Sequence, residues 1–319
     1  MAEMRAARFD GYGAPEVLYE GRAPRPEPGR GQVLVRVHAS SVNGGELLMR
    51  AGRLAPLTGR RFPKGIGIDF AGEVAEVDAQ VSGLAVGDRV WGTVGRAGGS
   101  ATAEYVAVRP EQVSLSPAGL DPFQAVSLPA GGTTGITALR DKARVRPGDR
   151  VLVRGAGGGV GSVVVQLAKA MGTHVTALAG ARNLDFVRGL GADEAFDYAT
   201  TGPGELARLE RFDSVIDIVA TDLPAYRRLL APGGRMVAVS FGSFASVLHI
   251  LGSQVLGRRR TIFFSGNPKT ALLADLAGYV ERGEVRPVVD TVHELTDIAK
   301  AHRALEAGGV RGKHVISLL

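Results

Sequence analysis

Cysteine is missing from this 319-residue chain, and its absence closes several routes at once. No disulfide can form, and no zinc site can be built from thiolates. Aromatic residues make up only 6% of the chain and do not interleave with the basic ones, which argues against a nucleic-acid-binding surface. No apolar run reaches the roughly 18 residues that a membrane helix needs. The first residues, MAEMRAARFDGYG, lack the apolar centre of a secretory signal, so a cytoplasmic location follows by default. The six histidines, at positions 38, 174, 249, 293, 302 and 314, have no paired ligand spacing, and each reads as a surface or internally satisfied histidine. The net charge of +6 comes from scattered residues, with one dense cluster at Arg258, Arg259 and Arg260 and a weaker pair at Arg60 and Arg61. A basic solvated surface accounts for it, and an anionic cofactor would suit it. There is no internal repeat and no low-complexity tract.

Glycine is what the chain has in quantity, and its richest stretch is VLVRGAGGGVG, from Val151 to Gly161. Val151, Leu152 and Val153 read as a buried strand. Five glycines follow between positions 155 and 161, and from Ser162 the pattern SVVVQLAKAMG is helical, with Gly172 as its stop. Strand, glycine turn and helix N-terminus together form the context in which backbone N–H groups and the helix dipole receive a pyrophosphate. The strict G-x-G-x-x-G spacing is not met. What stands is Ala156-x-Gly158-x-x-Gly161, with Gly155 in front.

The length predicts two domains. The first part reads as short strands and turns: 32–39 alternates as a half-buried strand, 69–77 is a second, 87–92 is a turn and short strand, and 104–108 is another. That spacing points to a barrel-like domain. Near Asp121 the pattern changes to alternating helix and strand, which predicts a parallel sheet covered by helices. Helices are expected at 130–143, 162–171, 184–190 and 223–230, and strands at 151–154, 174–179, 214–219, 235–240 and 261–264. Short strands are also expected near 195 and at 288–293 and 314–318, with helices at 270–282 and 297–306.

Several markers fall in one order: GIGIDFAGEVAEV at 65–77, VGDRVWG at 86–92, LPAGGTTGITAL at 128–139, the glycine stretch at 145–161 and RGKHVISL at 311–318. Together they make the chain similar to the medium-chain dehydrogenase/reductase superfamily over nearly its whole length. The branch it most resembles is the zinc-free, ζ-crystallin-like quinone oxidoreductases. The resemblance implies an α/β fold, with a doubly wound Rossmann domain (121–267) and a β-rich GroES-like catalytic domain made of 1–120 and 268–319. It places the active site in the cleft between them and implies a homodimer joined along an edge strand, for which 260–265 is suitable.

The resemblance also assigns residues. Zinc-dependent members carry Gly-His-Glu where this chain has Gly67-Ile68-Asp69, so a catalytic metal is not expected. Reduction of an electron-poor acceptor is then more natural than alcohol oxidation, which relies on a metal to lower the alcohol pKa. The cofactor turn comprises Gly155, Ala156, Gly158, Gly159, Val160 and Gly161. The next strand ends Leu178-Ala179-Gly180-Ala181-Arg182-Asn183, with no carboxylate for a ribose 2′-OH. Arg182 can pair with a 2′-phosphate, which points to NADPH over NADH; its other reading is a solvated residue at a helix start. Tyr198 stands where relatives place an aromatic near the adenosine, with a core tyrosine as the alternative. Phe241, Gly242, Phe264 and Ser265 match positions at the nicotinamide half. Thr134 matches a threonine beside the nicotinamide, or else caps a helix. Lys313 matches a residue at the cleft edge, or else is a solvated lysine.

For the acceptor, Asn43 matches a cleft asparagine that would orient a carbonyl, and Glu46 stands where many relatives have Asp. Arg50 completes that stretch. The tyrosines that often follow in relatives are absent, and Leu48 and Leu54 occupy those neighbouring positions, which leaves the proton donor open. Asp69 reads as a substrate contact or as a turn residue. The leucine-rich stretch 47–57 and the segment 243–257 are candidates to line an apolar pocket; the latter reads equally as a dimer contact. Three functions stand: an NADPH-dependent reductase of quinones or conjugated carbonyls, a 2-enoyl reductase of thioester or polyketide-type intermediates, and a cofactor-binding protein without turnover. No nucleic-acid or membrane partner is expected.

Overall fold

The chain divides into two units in the computed structural model, which describes residues 2–95, 100–209, 211–240, 261–264, 266 and 270–319. The first unit comprises Met1–Ala130, Asn267–Glu281 and Pro287–Leu319, and the second Gly131–Gly266 with Arg282–Arg286.

In the first unit, β1 (Glu3–Phe9) pairs with β2 (Tyr19–Pro24) and with β4 (Lys64–Gly65). A larger sheet is built on β3 (Val33–Ser41), which runs antiparallel to β5 (Asp69–Val77). It continues through β6 (Arg89–Thr93) to β8 (Val113–Leu115), while β7 (Tyr105–Val108) pairs with β3. On the other side of β3 lies β16 (Lys313–Ser317), with β15 (Val289–Glu294) parallel to it. Alternation along β3 buries Val33, Val35 and Val37 in one core with Phe9, Phe70, Val90 and Ile316. Register does the rest: Ser41 stands opposite Asp69 on one side and opposite Val315 on the other. Because side chains repeat every two residues along a strand, Lys313 is brought to the face and level of Asn43.

Helix α1 (Gly44–Arg50) starts where β3 ends, with Asn43 still extended. Its buried residues, Glu46 and Arg50, are one turn apart and face α10 (Ile298–Ala307). Between them in the chain come α2 (Ala55–Thr58), α3 (Pro122–Val126) and α9 (Thr270–Glu281). The change of character expected near Asp121 falls later, at Ala130, because Ala125 and Val126 of α3 are buried against β3 and β5.

The second unit is a six-stranded, all-parallel sheet: β9 (Arg150–Arg154), β10 (His174–Ala179), β11 (Glu194–Asp197), β12 (Phe212–Asp217), β13 (Leu230–Ala238) and β14 (Thr261–Phe263). The spatial order is β11-β10-β9-β12-β13-β14, the doubly wound order. The chain therefore reverses its direction of winding between β9 and β12. Helix α4 (Pro129–Ile136) continues as π-helical turns to Ala143. After it come α5 (Gly161–Ala170), α6 (Leu184–Gly189), α7 (Pro203–Leu206) and α8 (Leu223–Arg227). α8 is shorter than the expected helix, and β13 begins at Leu230 rather than near Arg235. The pairing of β12 with β13 changes register between Phe212 and Ser214, so Pro232-Gly233-Gly234 is carried as an irregularity inside the strand rather than as a helix stop. Among the described residues, no helix is long and apolar enough to cross a membrane.

Candidate functional site

Two groups of residues, one in each unit, hold most of the site residues expected from the sequence. The first lies at the carboxyl edge of the parallel sheet. Gly155 follows directly on β9 and has φ +76°, a left-handed conformation that suits glycine. A Cβ on Gly161 would lie 2.1 Å from the Gly155 carbonyl oxygen, so glycine there lets α5 start against the strand. Gly158 differs: among the described residues a Cβ there would meet nothing closer than 3.8 Å, so their packing does not demand its bareness. It leaves open space at the N-terminus of α5, and the backbone N–H groups of Gly159 and Val160 have no partner among the described residues. Tight turn, open approach and close helix packing are the three jobs of a dinucleotide turn, here done by Gly155, Gly158 and Gly161 while Ala156 is buried. The residues fit a pyrophosphate.

Other expected cofactor residues lie on that edge. Ala179 is the last residue of β10 and is buried. Arg182 is exposed in the single 3-10 turn that follows. Asp197, opposite Ala179 on β11, uses one carboxylate oxygen to cap the N–H of Ala199 at 3.1 Å. Tyr198 is 64% exposed, which removes the core reading, and its ring lies beside Gly180. Phe264 is half-buried just beyond β14. Thr134 sits inside α4 and does not cap it; its hydroxyl has no hydrogen-bond partner among the described residues. A Cβ on Gly131, one turn earlier, would lie 2.6 Å from the Gly159 carbonyl oxygen, so α4 packs tightly on the glycine turn. Phe241, Gly242, Ser265 and the segment 243–257 lie outside the described residues.

The second group is a buried polar cluster in the first unit, centred on Asp69, the first residue of β5. Its Oδ2 accepts from Ser41 Oγ at 2.5 Å, Asn43 Nδ2 at 3.1 Å and Lys313 Nζ at 3.1 Å, and its Oδ1 from the N–H of Ala130 at 3.0 Å. Neither a turn nor a free substrate contact describes it. Lys313 is 4% exposed, so it is no solvated lysine. Its other bonds go to Ser41 Oγ at 3.1 Å and to Asn43 Oδ1. The structure groups it with Asn43 and Glu46. An ammonium only donates and carboxylates accept, so this network fixes which way the Asn43 amide points.

Asn43 Nδ2 also donates to Glu46 Oε1 at 2.9 Å. Glu46 is 2% exposed, and burial pushes its carboxyl up to about 8, against the opposing pull of the Asn43 hydrogen bond and of Lys313. It is therefore a neutral acid at pH 7. Its Oε2 faces Nε2 of His302 at 4.0 Å, beyond a hydrogen bond. His302 is fully buried and pushed down to about 3, first by burial and then by Arg50, so it is neutral; neither ring nitrogen has a partner among the described residues. Arg50 is buried too, bonded to the Gly13 carbonyl at 3.1 Å and paired with Glu306, which makes it a tie for helix α1. Leu48 and Leu54 are half-buried. Sequence reasoning missed Ser41 and His302: their only signal is the register and packing of segments far apart in the chain. Among the described residues no group of three or more His, Asp or Glu side chains is arranged to hold a metal.

Two outcomes follow. Asp69→Asn leaves Lys313 buried without a charge partner and is expected to cost about 3–5 kcal/mol, read as a fall in urea midpoint. For Glu46, a folded-state value above the ordinary 4.5 means that between about 4.5 and 8 the unfolded chain releases a proton the folded chain keeps, so stability drops as pH rises through that window. The Tm of the wild type is expected to fall relative to that of Glu46→Gln between about pH 5 and pH 8; parallel Tm curves across that window would contradict a buried neutral acid.

Comparison with known proteins bears on both groups. Residues 29–118 match the alcohol dehydrogenase GroES-like domain family, and 190–316 the zinc-binding dehydrogenase family. The chain is 30% identical, over 98% of either chain, to the quinone-oxidoreductase homolog of the chloroplast from Spinacia oleracea. It is 32% identical to the 2-methylene-furan-3-one reductase of Solanum lycopersicum, over 99% of this chain and 79% of that one. The solved structure of the quinone oxidoreductase from Coxiella burnetii superposes over 100% of both chains with a TM-score of 0.92 at 33% identity. With its doubly wound sheet, its GroES-like unit and these relatives, the chain belongs to the medium-chain dehydrogenase/reductase superfamily, in the quinone oxidoreductase branch.

Proposed function

We propose that this protein is an NADPH-dependent reductase of quinones or related conjugated carbonyls that works without a metal. The observation that carries the reading is the glycine turn, where among the described residues a Cβ on Gly158 would meet nothing closer than 3.8 Å and the backbone N–H groups beside it have no partner. Those N–H groups and the N-terminus of α5 would hold the pyrophosphate. Arg182, exposed past a strand that ends without a carboxylate, would pair with the 2′-phosphate, with Tyr198 flanking the adenosine. Thr134 and Phe264 would stand at the nicotinamide half; Phe241 and Ser265 belong to the same expected set. Bound NADPH would supply the hydride.

The acceptor needs one hydride and one proton to become a hydroquinone or a saturated carbonyl. Asn43 is the half-buried member of the polar cluster, and it would orient the acceptor carbonyl by turning to it one of the two amide N–H groups that now go to Asp69 and Glu46. Glu46 holds a proton at neutral pH and would be the acid that balances the reaction. Lys313 and Asp69 hold Asn43 in place. Ile68 stands where zinc-dependent relatives carry histidine, and the chain has no cysteine to complete such a site. A second reading, saturation of a C=C bond, is favoured by the similarity to a protein named for a 2-methylene-furan-3-one, a conjugated carbonyl.

NADPH oxidation against a panel of quinones, simple enones and enoyl thioesters tests the acceptor. Turnover with quinones is expected; activity confined to enoyl thioesters would move the protein to the second reading, and silence across the panel would remove it from the reductases. Arg182→Ala is expected to raise KM for NADPH by about tenfold and leave that for NADH within about twofold. An unchanged preference would take Arg182 out of the account.

A further inference from the structure

The parallel sheet reverses between β9 and β12, and the last residues of those two strands are Arg154 and Asp217. Both are buried, at 6% and 0% exposure, and they form an ion pair across the two strand ends. The Arg154 guanidinium also donates to the Thr221 carbonyl at 2.7 Å and to Thr221 Oγ1 at 3.1 Å, and lies 3.5 Å from the centre of the Tyr226 ring. The Asp217 carboxylate accepts from the N–H groups of Val219 and Ala220 at 2.9 and 2.7 Å. The loop 218–222 is thus tied at both ends of the pair, and it needs tying: Ala220 and Asp222 hold left-handed conformations, φ +62° and +49°, that cost energy outside glycine. The same loop borders the cofactor turn, since a Cβ on Gly155 would lie 3.2 Å from Val219 Cγ2 and 3.5 Å from Ile218 Cβ.

In an open parallel sheet the crevice for a dinucleotide lies outside the carboxyl ends of the strands where the winding reverses. We infer that the Arg154–Asp217 pair is a positioning device for the dinucleotide: it fixes the floor of that crevice and holds the strained loop 218–222 against the glycine turn. This rests on the cofactor reading above. A structural ion pair with no such task would be replaceable by apolar residues, since a buried pair contributes little net stability while a lone buried charge is costly. Arg154→Met combined with Asp217→Leu removes both charges together and avoids leaving one unpaired. Arg154→Lys keeps the charge and loses the fork to Thr221 and the flat contact with Tyr226.

The test is the Kd for NADPH, from the fluorescence of the bound nicotinamide, alongside Tm with and without NADPH. Misplacement of the loop is expected to weaken binding by about tenfold or more in the folded double variant and by about threefold in Arg154→Lys, with KM rising more than kcat falls. A folded double variant that binds NADPH as the wild type does would overturn the inference. If the double variant does not fold, Arg154→Lys decides, and a wild-type Kd in it overturns the inference as well. Failure of the wild type itself to bind NADPH would strike the cofactor reading, and the purpose of the pair with it; that result is distinct from loss confined to the variants.

Discussion

A carboxylate buried among strand ends needs donors to replace water, and Asp69 receives a hydroxyl, an amide and an ammonium on Oδ2 and a backbone N–H on Oδ1. The rest of the first unit's polar chemistry depends on it. Lys313 is held buried because Asp69 is there to pair with it, and Lys313 in turn sets the direction of the Asn43 amide. With the amide nitrogen turned to Glu46, that side chain is both buried and bonded, yet short of a full ionic partner, and it keeps its proton. One charge pair thus leaves a neutral acid beside it.

The second unit solves a different problem with similar means. A dinucleotide turn needs bare backbone, and bare backbone is poorly fixed by its own side chains. Around the turn the protein supplies fixed walls: α4 pressed on Gly159, α5 starting against Gly155, and the loop 218–222 held by a buried Arg–Asp pair. Glycine is demanded by conformation at Gly155 and by packing at Gly161, and among the described residues by neither at Gly158.

Much of the fold was legible in the sequence because its signals are local. Alternation located β3, a further strand was expected at the place of β5 (Asp69–Val77), and the strand–glycine–helix pattern located β9, the turn and α5. The β1–β2 hairpin was not foreseen, since the alanines of β1 give little contrast between faces. The early start of β13 was hidden by Pro232-Gly233-Gly234, which reads as a helix stop and is a strand irregularity instead. The candidate site was legible as a set of residue types and not as an arrangement. Lys313 and Asp69 are 244 positions apart, and only strand register brings them together. The high proton affinity of Glu46 comes from burial by α10, and the Arg154–Asp217 pair from the order of strands, neither of which a local pattern carries.

We propose that Glu46, in a cluster oriented by Asp69 and Lys313, holds the proton that must accompany hydride delivery. The most direct test is the pH dependence of the single-turnover rate of quinone reduction at saturating NADPH. The wild-type rate is expected to be level at neutral pH and to fall as pH rises through about 8, where Glu46 loses its proton. Glu46→Gln is expected to be slower and level across that range. A wild-type rate that stays level past that point, or a Glu46→Gln profile that overlays it, would contradict the claim.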